Sequence, residues 1–542
     1  MAPNKDDNEE TTYSANYIHI PSSHIRNVTS GFGETIFEQM KQNAAQIAQI
    51  DSTSGLNETY SSLLSRCKCT AQSMQAQGLI EDDVIALCSY NNMDYVVPLV
   101  AAWFTGVRMS PLDPAAPLSE ILRCLTLTRP KLVFCDAESE QLIDSALQVL
   151  DLQCGIVTFG EMAKHTPFSD YLIAHSTEFK PLRPKHSKET ACIMFSSGTT
   201  GLPKAVCVTQ CSLLEVTRQM LVCNVVLTVT SPYWISNIAM VARTILTGKT
   251  RVICKTFDEN TVVKVIQDYE VQFAVFTPTN CNRFIKNPTT CQYDTSKLQT
   301  LVVIGSNVTH YQLLEIIKLF PYTTVCNGYG LTEAGGVALL ATAQTREDRL
   351  GRKQCSIGYP IPGFYYKVVN VETETALGPN ETGELRIKTE AIMSGYYLQP
   401  ELTRDVFDSE SYLKTGDIVY YDETKLFYCV DRLKEIFKCN GIHISPTLIE
   451  GEILSHPDVT DCAVVGTPDE LDGEIVTGVV VLREHSHVTA NDIVTYVNDR
   501  VADRFKLRGG VVVVTTLPRT PAGKLRRKVV RDIAMKIMMN NT

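Results

Sequence analysis

Short apolar runs alternate with longer amphipathic stretches through most of the first 320 residues. The runs at 83–89, 131–136, 250–257, 273–278 and 301–306 contain β-branched residues, and each precedes a segment with helical spacing of apolar positions. Alternation of buried strands with helices is typical of parallel βαβ layers. Because the alternation continues too long for one doubly wound sheet, we predict two sheets that share helices.

The pattern changes near residue 357, where strand-like segments follow one another with Gly, Pro and Asn turns and few helices. We therefore predict an α/β fold with a large N-terminal domain over 31–431, built from two stacked βα-layered sheets and a small β-rich subdomain at about 357–431. Helical and strand-like segments then predict a smaller α+β domain over 432–542. Residues 1–30 are expected to be loosely ordered.

Composition and charge exclude several classes of protein. The formal net charge of -10 disfavours nucleic acid and anionic membranes, because both require a basic face. The most apolar stretch, 96–107, is shorter than the roughly 20 residues of a membrane span, so it predicts a buried helix. The 18 cysteines are scattered without a C-x-x-C pair, which favours reduced thiols over a zinc site. The acidic N-terminus and a C-terminus without S-K-L lead us to expect a cytoplasmic rather than a peroxisomal protein.

The segment "SSGTTGLPK" at 196–204 follows the apolar run 191–195 and is too polar to contribute to a core. Its hydroxyls, and the backbone N–H groups that its glycines expose, suit phosphate oxygens, and Lys204 adds a mobile positive charge. The spacing differs from that of a Walker A loop. A surface turn between a strand and a helix is the alternative interpretation.

A second cluster, "NGYGLTE" at 327–333, follows another strand-like run. Its glycines allow a ligand to approach the backbone, and Tyr329 can stack on a flat base. Thr332 can donate to a phosphate, and the carboxylate of Glu333 is a ligand that suits Mg²⁺. The alternative is a plain strand–turn–helix corner.

Three shorter segments complete the set: "KTGD" at 414–417, "DRLKEIFKCNG" at 431–441 and "TPAGKLRRK" at 520–528. The carboxylate of Asp417 can accept both hydroxyls of a ribose, whereas the basic run in the last segment, taken alone, also fits a solvated helix face. In this order and spacing, the five segments resemble the adenylate-forming superfamily of acyl-CoA synthetases, 4-coumarate–CoA ligases, beetle luciferases and peptide-synthetase adenylation domains. The resemblance extends from about residue 60 to the C-terminus. It is strongest to the luciferase and 4-coumarate–CoA ligase branch, especially its insect members.

The resemblance implies a two-step reaction. A carboxylic acid, here a fatty or aryl-propenoic acid, reacts with ATP to give an acyl-adenylate and pyrophosphate, and the acyl group then passes to the thiol of coenzyme A. ATP, Mg²⁺ and coenzyme A are thus the implied cofactors and co-substrates. Because the first step is an in-line displacement, positioning and charge neutralisation supply most of the catalysis.

The resemblance also implies roles for individual residues. It assigns the β- and γ-phosphates to Ser196, Ser197, Gly198, Thr199, Thr200, Gly201 and Lys204. It assigns adenine to Asn327, Gly328 and Tyr329, the α-phosphate to Thr332, Mg²⁺ to Glu333, and the ribose to Asp417 and Arg432. Lys524 would bridge the incoming carboxylate and the α-phosphate.

A mobile C-terminal domain follows from the same resemblance. Lys524 must occupy the site during adenylation and leave before a thiol enters, so we expect a domain rotation. Lys434 matches the hinge position of the family. After the rotation Lys438 and Gly441 would face the site, where Gly441 leaves space for the pantetheine arm of coenzyme A.

The sequence departs from the family pattern around the expected acid pocket. Ala205 stands where the family usually has glycine, and 305–308 reads "GSNV" in place of "GGAP". The segment "SPYWISNIAM" at 231–240 lacks the usual histidine. The residues expected to line the pocket are Tyr233, Trp234, Ile235, Gly305, Ser306, Ala334 and Gly335. The small residues 334–336 either leave room for a longer apolar tail or serve backbone packing.

Three functions are consistent with these features. An acid–thiol ligase is the leading interpretation, and a luciferase that oxidises its adenylate is the second. The missing histidine motivates a third, a homologue that binds nucleotide without turnover. Lys524 argues against the third interpretation, because a protein that only binds nucleotide does not need that residue.

Overall fold

The computed structural model describes residues 13–14, 17–20, 31–160, 164–174, 176, 178–196, 204–215, 223–341, 356–439, 442–469, 473–519 and 524–541. The predicted phosphate-loop residues Ser197, Gly198, Thr199, Thr200 and Gly201, together with Gly441, lie outside them. Within the described residues the α-helices are Phe32–Gln42, Tyr60–Ala76, Val96–Thr105, Leu118–Thr128, Glu140–Leu150, Gln210–Glu215, Ile235–Thr247, Glu259–Asp268, Pro278–Lys286, His310–Leu319, Pro400–Asp405, Pro446–Leu454, Ala490–Asn498 and Arg527–Asn541.

The first sheet is parallel except at one edge. Its described strands, in spatial order, are Lys204–Thr209, Thr190–Ser196, Arg108–Leu112, Val84–Cys88, Leu132–Asp136, Gly155–Phe159 and Thr166–Pro167. The edge pair is antiparallel and sets Ser196 opposite Lys204. The central strand Val84–Cys88 is buried at every position, as expected of a parallel strand covered on both faces. The strands predicted at 83–89 and 131–136 are confirmed.

The second sheet is also mainly parallel. Its described strands, in spatial order, are Thr324–Leu331, Thr300–Val303, Phe273–Phe276, Val225–Thr228, Thr250–Ile253, Ile47–Asp51 and the antiparallel Asn57–Thr59. The runs predicted as strands at 250–257, 273–278 and 301–306 lie here, and the observed strands are shorter than the predicted runs.

The two sheets share helices, as predicted. In helix Ile235–Thr247, Met240 packs with buried side chains of the second sheet, whereas Ile238 and Val241 belong to the core that contains strands of the first sheet. Helix Val96–Thr105 is buried at every position, which confirms the prediction for 96–107. No helix among the described residues has both the length and the apolar character needed to span a membrane.

A β-rich antiparallel sheet continues from the edge of the second sheet. Its described strands, in spatial order, are Gly336–Leu340, Ser356–Pro360, Phe427–Arg432, Leu413–Tyr421, Gly383–Thr389, Phe364–Val369, Tyr17–Ile20 and Tyr13–Ser14. The expectation of loose order over 1–30 is wrong for Tyr17–Ile20, because this segment pairs with Phe364, Tyr365 and Tyr366 at the sheet edge. A partner more than 340 residues away supplies its hydrogen bonds, so local sequence could not indicate the strand.

The last part of the chain forms a smaller α+β unit. Its described strands are Phe437–Cys439 and Ile442–Ile444 in one sheet, and Val459–Asp469, Gly473–Leu482 and Val511–Val513 in another. These strands and three of the helices above have hydrophobic clusters of their own. The predicted fold class, with a large sheet-rich N-terminal domain and a smaller C-terminal domain, is confirmed.

Candidate active site

A cleft of about 1480 Å³ lies between the large domain and the C-terminal unit. Most of the predicted site residues within the described chain line it. They are Tyr233, Trp234, Gly305, Ser306, Asn327, Gly328, Tyr329, Asp417, Arg432, Lys434, Lys438 and Lys524. Strands that end at the same edge of the second sheet bring several of these residues together, and this edge is where open α/β sheets usually bind ligands.

The buried carboxylate of Asp417 contacts Tyr329 and Arg432, two other residues that are predicted to bind the nucleotide. The Tyr329 hydroxyl donates to Asp417 Oδ2 at 2.6 Å, and Arg432 Nε lies 2.9 Å from Asp417 Oδ1. The Asp417 side chain is 4% exposed and that of Arg432 is 31% exposed. Burial, followed by the charge of Asp417, raises the pKa of Tyr329 well above its usual value. The pKa of Arg432 is raised mainly by the Asp417 carboxylate. Each carboxylate oxygen can still accept a further hydrogen bond, so the group suits a ribose diol.

Local sequence explains how Asp417 reaches this position. It lies on Leu413–Tyr421 directly opposite Arg432 in the antiparallel pair, so the two charged groups are cross-strand neighbours. The preceding Gly416 has φ +70°, a conformation that glycine adopts at little cost. Its N–H donates to Glu384 Oε1 at 3.1 Å. The "KTGD" motif therefore lies within a strand, at a register shift against Gly383–Thr389, and presents its carboxylate to the cleft.

Glu333 lies where three segments meet. Its Oε1 accepts hydrogen bonds from the Ser196 hydroxyl at 3.1 Å and from the Tyr396 hydroxyl at 3.2 Å. Thr332 opens the short helix that carries Glu333, and its carbonyl accepts from Gly335 N at 3.0 Å. A carboxylate held by two hydroxyls beside a predicted phosphate loop fits Mg²⁺. No cluster of three or more His, Cys, Asp or Glu side chains suited to a metal occurs in the described ranges, so water and phosphate oxygens would have to complete the coordination.

Sequence reasoning missed Tyr396 as a site residue. Besides donating to Glu333, its ring lies 4.9 Å from Lys204 Nζ, so it links the predicted metal ligand to the predicted phosphate-binding lysine. Burial lowers the pKa of Lys204, the nearby Lys434 lowers it further, and Glu333 acts in the opposite direction. The available signal was the segment 383–397, which resembles the family but contains no charged residue beside Tyr396.

Lys524 enters the cleft from the C-terminal unit and is partly buried there. Its pKa is lowered, first by burial and then by the charge of Arg432, whereas Glu333 and Asp417 act in the opposite direction. The amine is thus within electrostatic range of the residues predicted around the nucleotide.

Arg527, which follows Lys524 in the chain, forms hydrogen bonds with two glutamates of the C-terminal unit. Its guanidinium donates to Glu435 Oε2 at 2.9 Å and to Glu450 Oε2 at 3.0 Å.

The residues predicted for the acid pocket separate into two groups. Tyr233 and Trp234 line the cleft with Gly305 and Ser306, and the two aromatic rings meet edge to face with centroids 5.7 Å apart. The remaining three, Ile235, Ala334 and Gly335, pack against other protein groups.

Packing explains the small residues of the second group. Ala334 is 2% exposed and belongs to the core. Gly335 has φ +78°, and a Cβ there would lie 2.9 Å from Ala391 O. These contacts favour the packing interpretation for Ala334 and Gly335, whereas a Cβ on Gly336 would meet nothing within 4 Å.

Comparison with known proteins agrees with this arrangement. The family model described as AMP-binding enzyme matches residues 36–397, and the one described as AMP-binding enzyme C-terminal domain matches 448–524. Luciferin 4-monooxygenase of Nipponoluciola cruciata is 31% identical over 90% of this chain and 92% of its own length. The 4-coumarate–CoA ligase 3 of Arabidopsis thaliana is 29% identical over 91% and 89%, respectively.

A solved structure gives the same result. The luciferase-like enzyme from the nonluminescent Zophobas morio mealworm superposes with a TM-score of 0.73 at 33% identity, covering 78% of this chain and 100% of that one. The family matches, the homologues and the shared fold lead to one conclusion: this chain belongs to the AMP-binding enzymes of the adenylate-forming superfamily.

Proposed function

We propose that this protein is an acid–thiol ligase that activates a fatty or aryl-propenoic acid with ATP and transfers the acyl group to coenzyme A. The observation that carries the proposal is the position of Lys524. Its amine lies in the cleft that also contains Tyr329, Asp417 and Arg432, and it interacts electrostatically with Glu333. A protein that only bound nucleotide would have no use for a second-domain lysine at this point.

In the first step, a carboxylate oxygen of the acid attacks the α-phosphorus of ATP, and the bond to pyrophosphate breaks. Tyr329 would stack on the adenine while Asp417 and Arg432 hold the ribose. Glu333 would hold the Mg²⁺ that, when bound, neutralises charge on the triphosphate. Lys524 would neutralise charge that develops between the carboxylate and the α-phosphate, where a positioned cation contributes most.

In the second step, the thiol sulfur of coenzyme A attacks the acyl carbonyl carbon, and the bond to AMP breaks. Lys524 would block the path of that thiol, so the C-terminal unit would rotate about Lys434. Lys434 is exposed and lies between the strands Phe427–Arg432 and Phe437–Cys439. A short exposed turn of this kind can absorb the change in backbone dihedrals that a hinge requires.

The test is ATP–pyrophosphate exchange across a panel of fatty and aryl-propenoic acids, followed by thiol consumption with coenzyme A. Lys524→Ala should reduce adenylate formation by about 10²–10³-fold, whereas thioester formation from a pre-made acyl-adenylate should be less affected. Lys536→Ala, an exposed lysine on the terminal helix, is the control and should match the wild type. Unchanged pyrophosphate release in Lys524→Ala would refute the role of Lys524.

The similarity to luciferin 4-monooxygenases favours a second candidate, oxidation of an adenylate with emission of light. Exchange with a luciferin, followed by light in the presence of oxygen, would support it over the ligase. Exchange and coenzyme A turnover without light would support the ligase. No exchange with any acid would instead support a homologue that binds nucleotide without turnover.

A further inference from the structure

A chain of buried amide and hydroxyl groups leads from the core to the aromatic wall of the cleft. Thr230 follows the strand Val225–Thr228 at the carboxyl edge of the second sheet, and Tyr233 and Trp234 come shortly after it. The Thr230 carbonyl accepts from Asn237 Nδ2 at 2.6 Å and from Asn91 Nδ2 at 3.0 Å. Two side-chain amides therefore hold the backbone at the start of this segment.

Asn237 uses all of its side-chain groups in this arrangement. Its Nδ2 also donates to Asn91 Oδ1 at 3.0 Å, and its Oδ1 accepts from the Tyr95 hydroxyl at 3.0 Å. Its backbone N–H donates to Trp234 O at 3.0 Å. Asn237 is fully buried and Asn91 is 3% exposed. The Asn237 side chain thus closes the segment 230–237, and its backbone N–H closes the shorter segment 234–237.

The chain of hydrogen bonds continues to a buried charge. The Tyr95 hydroxyl accepts from Arg251 Nη1 at 3.0 Å, and Arg251 Nη2 donates to Gln49 Oε1 at 2.7 Å. Arg251 is 1% exposed. Fully satisfied polar networks of this kind are rigid, and removing one member leaves the others unpaired at high cost.

We infer that Asn237 is a positioning residue for the acid substrate: with Asn91 it fixes the turn that presents Tyr233 and Trp234 to the cleft. This inference rests on the proposed function for the identity of the ligand, but the placement of the aromatic wall does not depend on it. Loosening the turn should weaken binding of the acid and leave binding of ATP unchanged, because Tyr329 and Asp417 belong to other strands. Asn237 would therefore influence which acid binds without contacting the acid itself.

The fluorescence of Trp234 can report directly on the position of the aromatic wall. It contains two tryptophans, and Trp103 is 4% exposed in the core, whereas Trp234 is partly exposed in the cleft. In a Trp103→Phe background, acrylamide quenching reports on Trp234 alone. If that background does not fold, the quencher-accessible fraction in the two-tryptophan chain gives the same information, because Trp103 is shielded.

The experiment compares Asn237→Ala and Asn91→Ala with Thr244→Ala. Thr244 is fully buried on the same helix as Asn237, but its hydroxyl donates only to Met240 O and Val241 O of that helix. We expect both asparagine variants to raise the quenching constant of Trp234 about twofold. We also expect the KM for the acid to rise about tenfold, since small displacements of a binding wall carry costs of this order. The KM for ATP should stay within twofold, and the control should behave as wild type.

Each result decides the inference. Unchanged quenching in both asparagine variants, or the same changes in Thr244→Ala, would overturn it. Raised quenching with an unchanged KM for the acid would overturn the specificity role. If one asparagine variant does not fold, the other still tests the inference, because both side chains donate to the Thr230 carbonyl. If the wild type activates no acid, the proposed function fails, and the quenching result alone decides whether Asn237 positions the aromatic wall.

Discussion

Asp417→Asn tests whether the buried carboxylate is a nucleotide ligand or only a structural group. The substitution keeps the shape of the side chain but removes its charge. Asp417 now accepts from Tyr329 at 2.6 Å and pairs with Arg432 at 2.9 Å. Hydrogen bonds to charged groups contribute about 1.5–3 kcal/mol. Because the Arg432 side chain is 31% exposed and solvent screens it, we expect the free energy of unfolding to fall by only about 1–2 kcal/mol.

The effect on ATP is expected to be larger. An asparagine offers one acceptor oxygen where the carboxylate offers two, so one charge-assisted hydrogen bond to the ribose is lost. A loss of about 1.5–3 kcal/mol corresponds to an increase of about 10- to 150-fold in the KM for ATP. Urea unfolding measures the stability, and pyrophosphate exchange at varied ATP concentration measures the KM.

Asp422→Asn is the matched control. Asp422 follows the same strand, and its carboxylate accepts from Thr424 and Leu426 in a turn. The control should lower stability modestly and leave the KM for ATP unchanged. If Asp417→Asn lowers stability but leaves the KM for ATP within twofold of wild type, Asp417 is a structural group and the assignment of the ribose site is wrong.

Three further predictions follow from the site and its surroundings. Adenylate formation should fall as pH rises through the lowered pKa of Lys524, because burial and Arg432 hold that pKa below the usual value. The contribution of this lysine to stability should rise over the same range, since the unfolded chain binds the extra proton, and Lys524→Arg should remove the alkaline fall in a pH–rate profile. Tyr396→Phe removes a donor to Glu333, and the Mg²⁺ concentration for half-maximal exchange should rise about tenfold; an unchanged requirement would contradict the assigned metal ligand. Gly330→Ala should lower the free energy of unfolding by about 1–3 kcal/mol, because the new Cβ would lie 2.4 Å from Gly336 O. An unchanged urea midpoint would refute the close approach of the strands Thr324–Leu331 and Gly336–Leu340.

The features that the sequence predicted well depend on local patterns of apolar residues. The strands Val84–Cys88 and Phe273–Phe276 are short apolar runs, and the helix Val96–Thr105 is an apolar segment of helical length. The segments that contain Gly305 and Tyr329 belong to neighbouring parallel strands, so parallel topology brings them to one edge of the second sheet. Asp417 belongs to the antiparallel β-rich sheet and lies 88 positions from Tyr329, so only the resemblance to the family predicted that the two residues share a site.

The features that the sequence did not reveal depend on partners far along the chain. Tyr396 acquires its role only because its hydroxyl reaches Glu333, 63 positions away. Ser196 reaches the same carboxylate across 137 positions. Asn237 and Arg251 are buried polar residues 14 positions apart, and neither periodicity nor spacing indicates that Tyr95 joins them. Such residues become interpretable only when tertiary structure supplies their hydrogen-bond partners.

The charges of the cleft give a physical reason for ATP to draw the C-terminal unit toward the large domain. Burial is the main cause of the lowered pKa values of Lys204 and Lys524, and repulsion from Lys434 and Arg432, respectively, lowers them further while Glu333 acts in the opposite direction. A bound triphosphate would replace this repulsion with attraction, and it would do so only while Lys524 remains in the cleft. The triphosphate would therefore bind more tightly when Lys524 is in the cleft, which is the condition under which binding shifts a conformational equilibrium. In the proposed reaction, release of pyrophosphate would remove most of that attraction and would favour departure of Lys524 before the thiol binds.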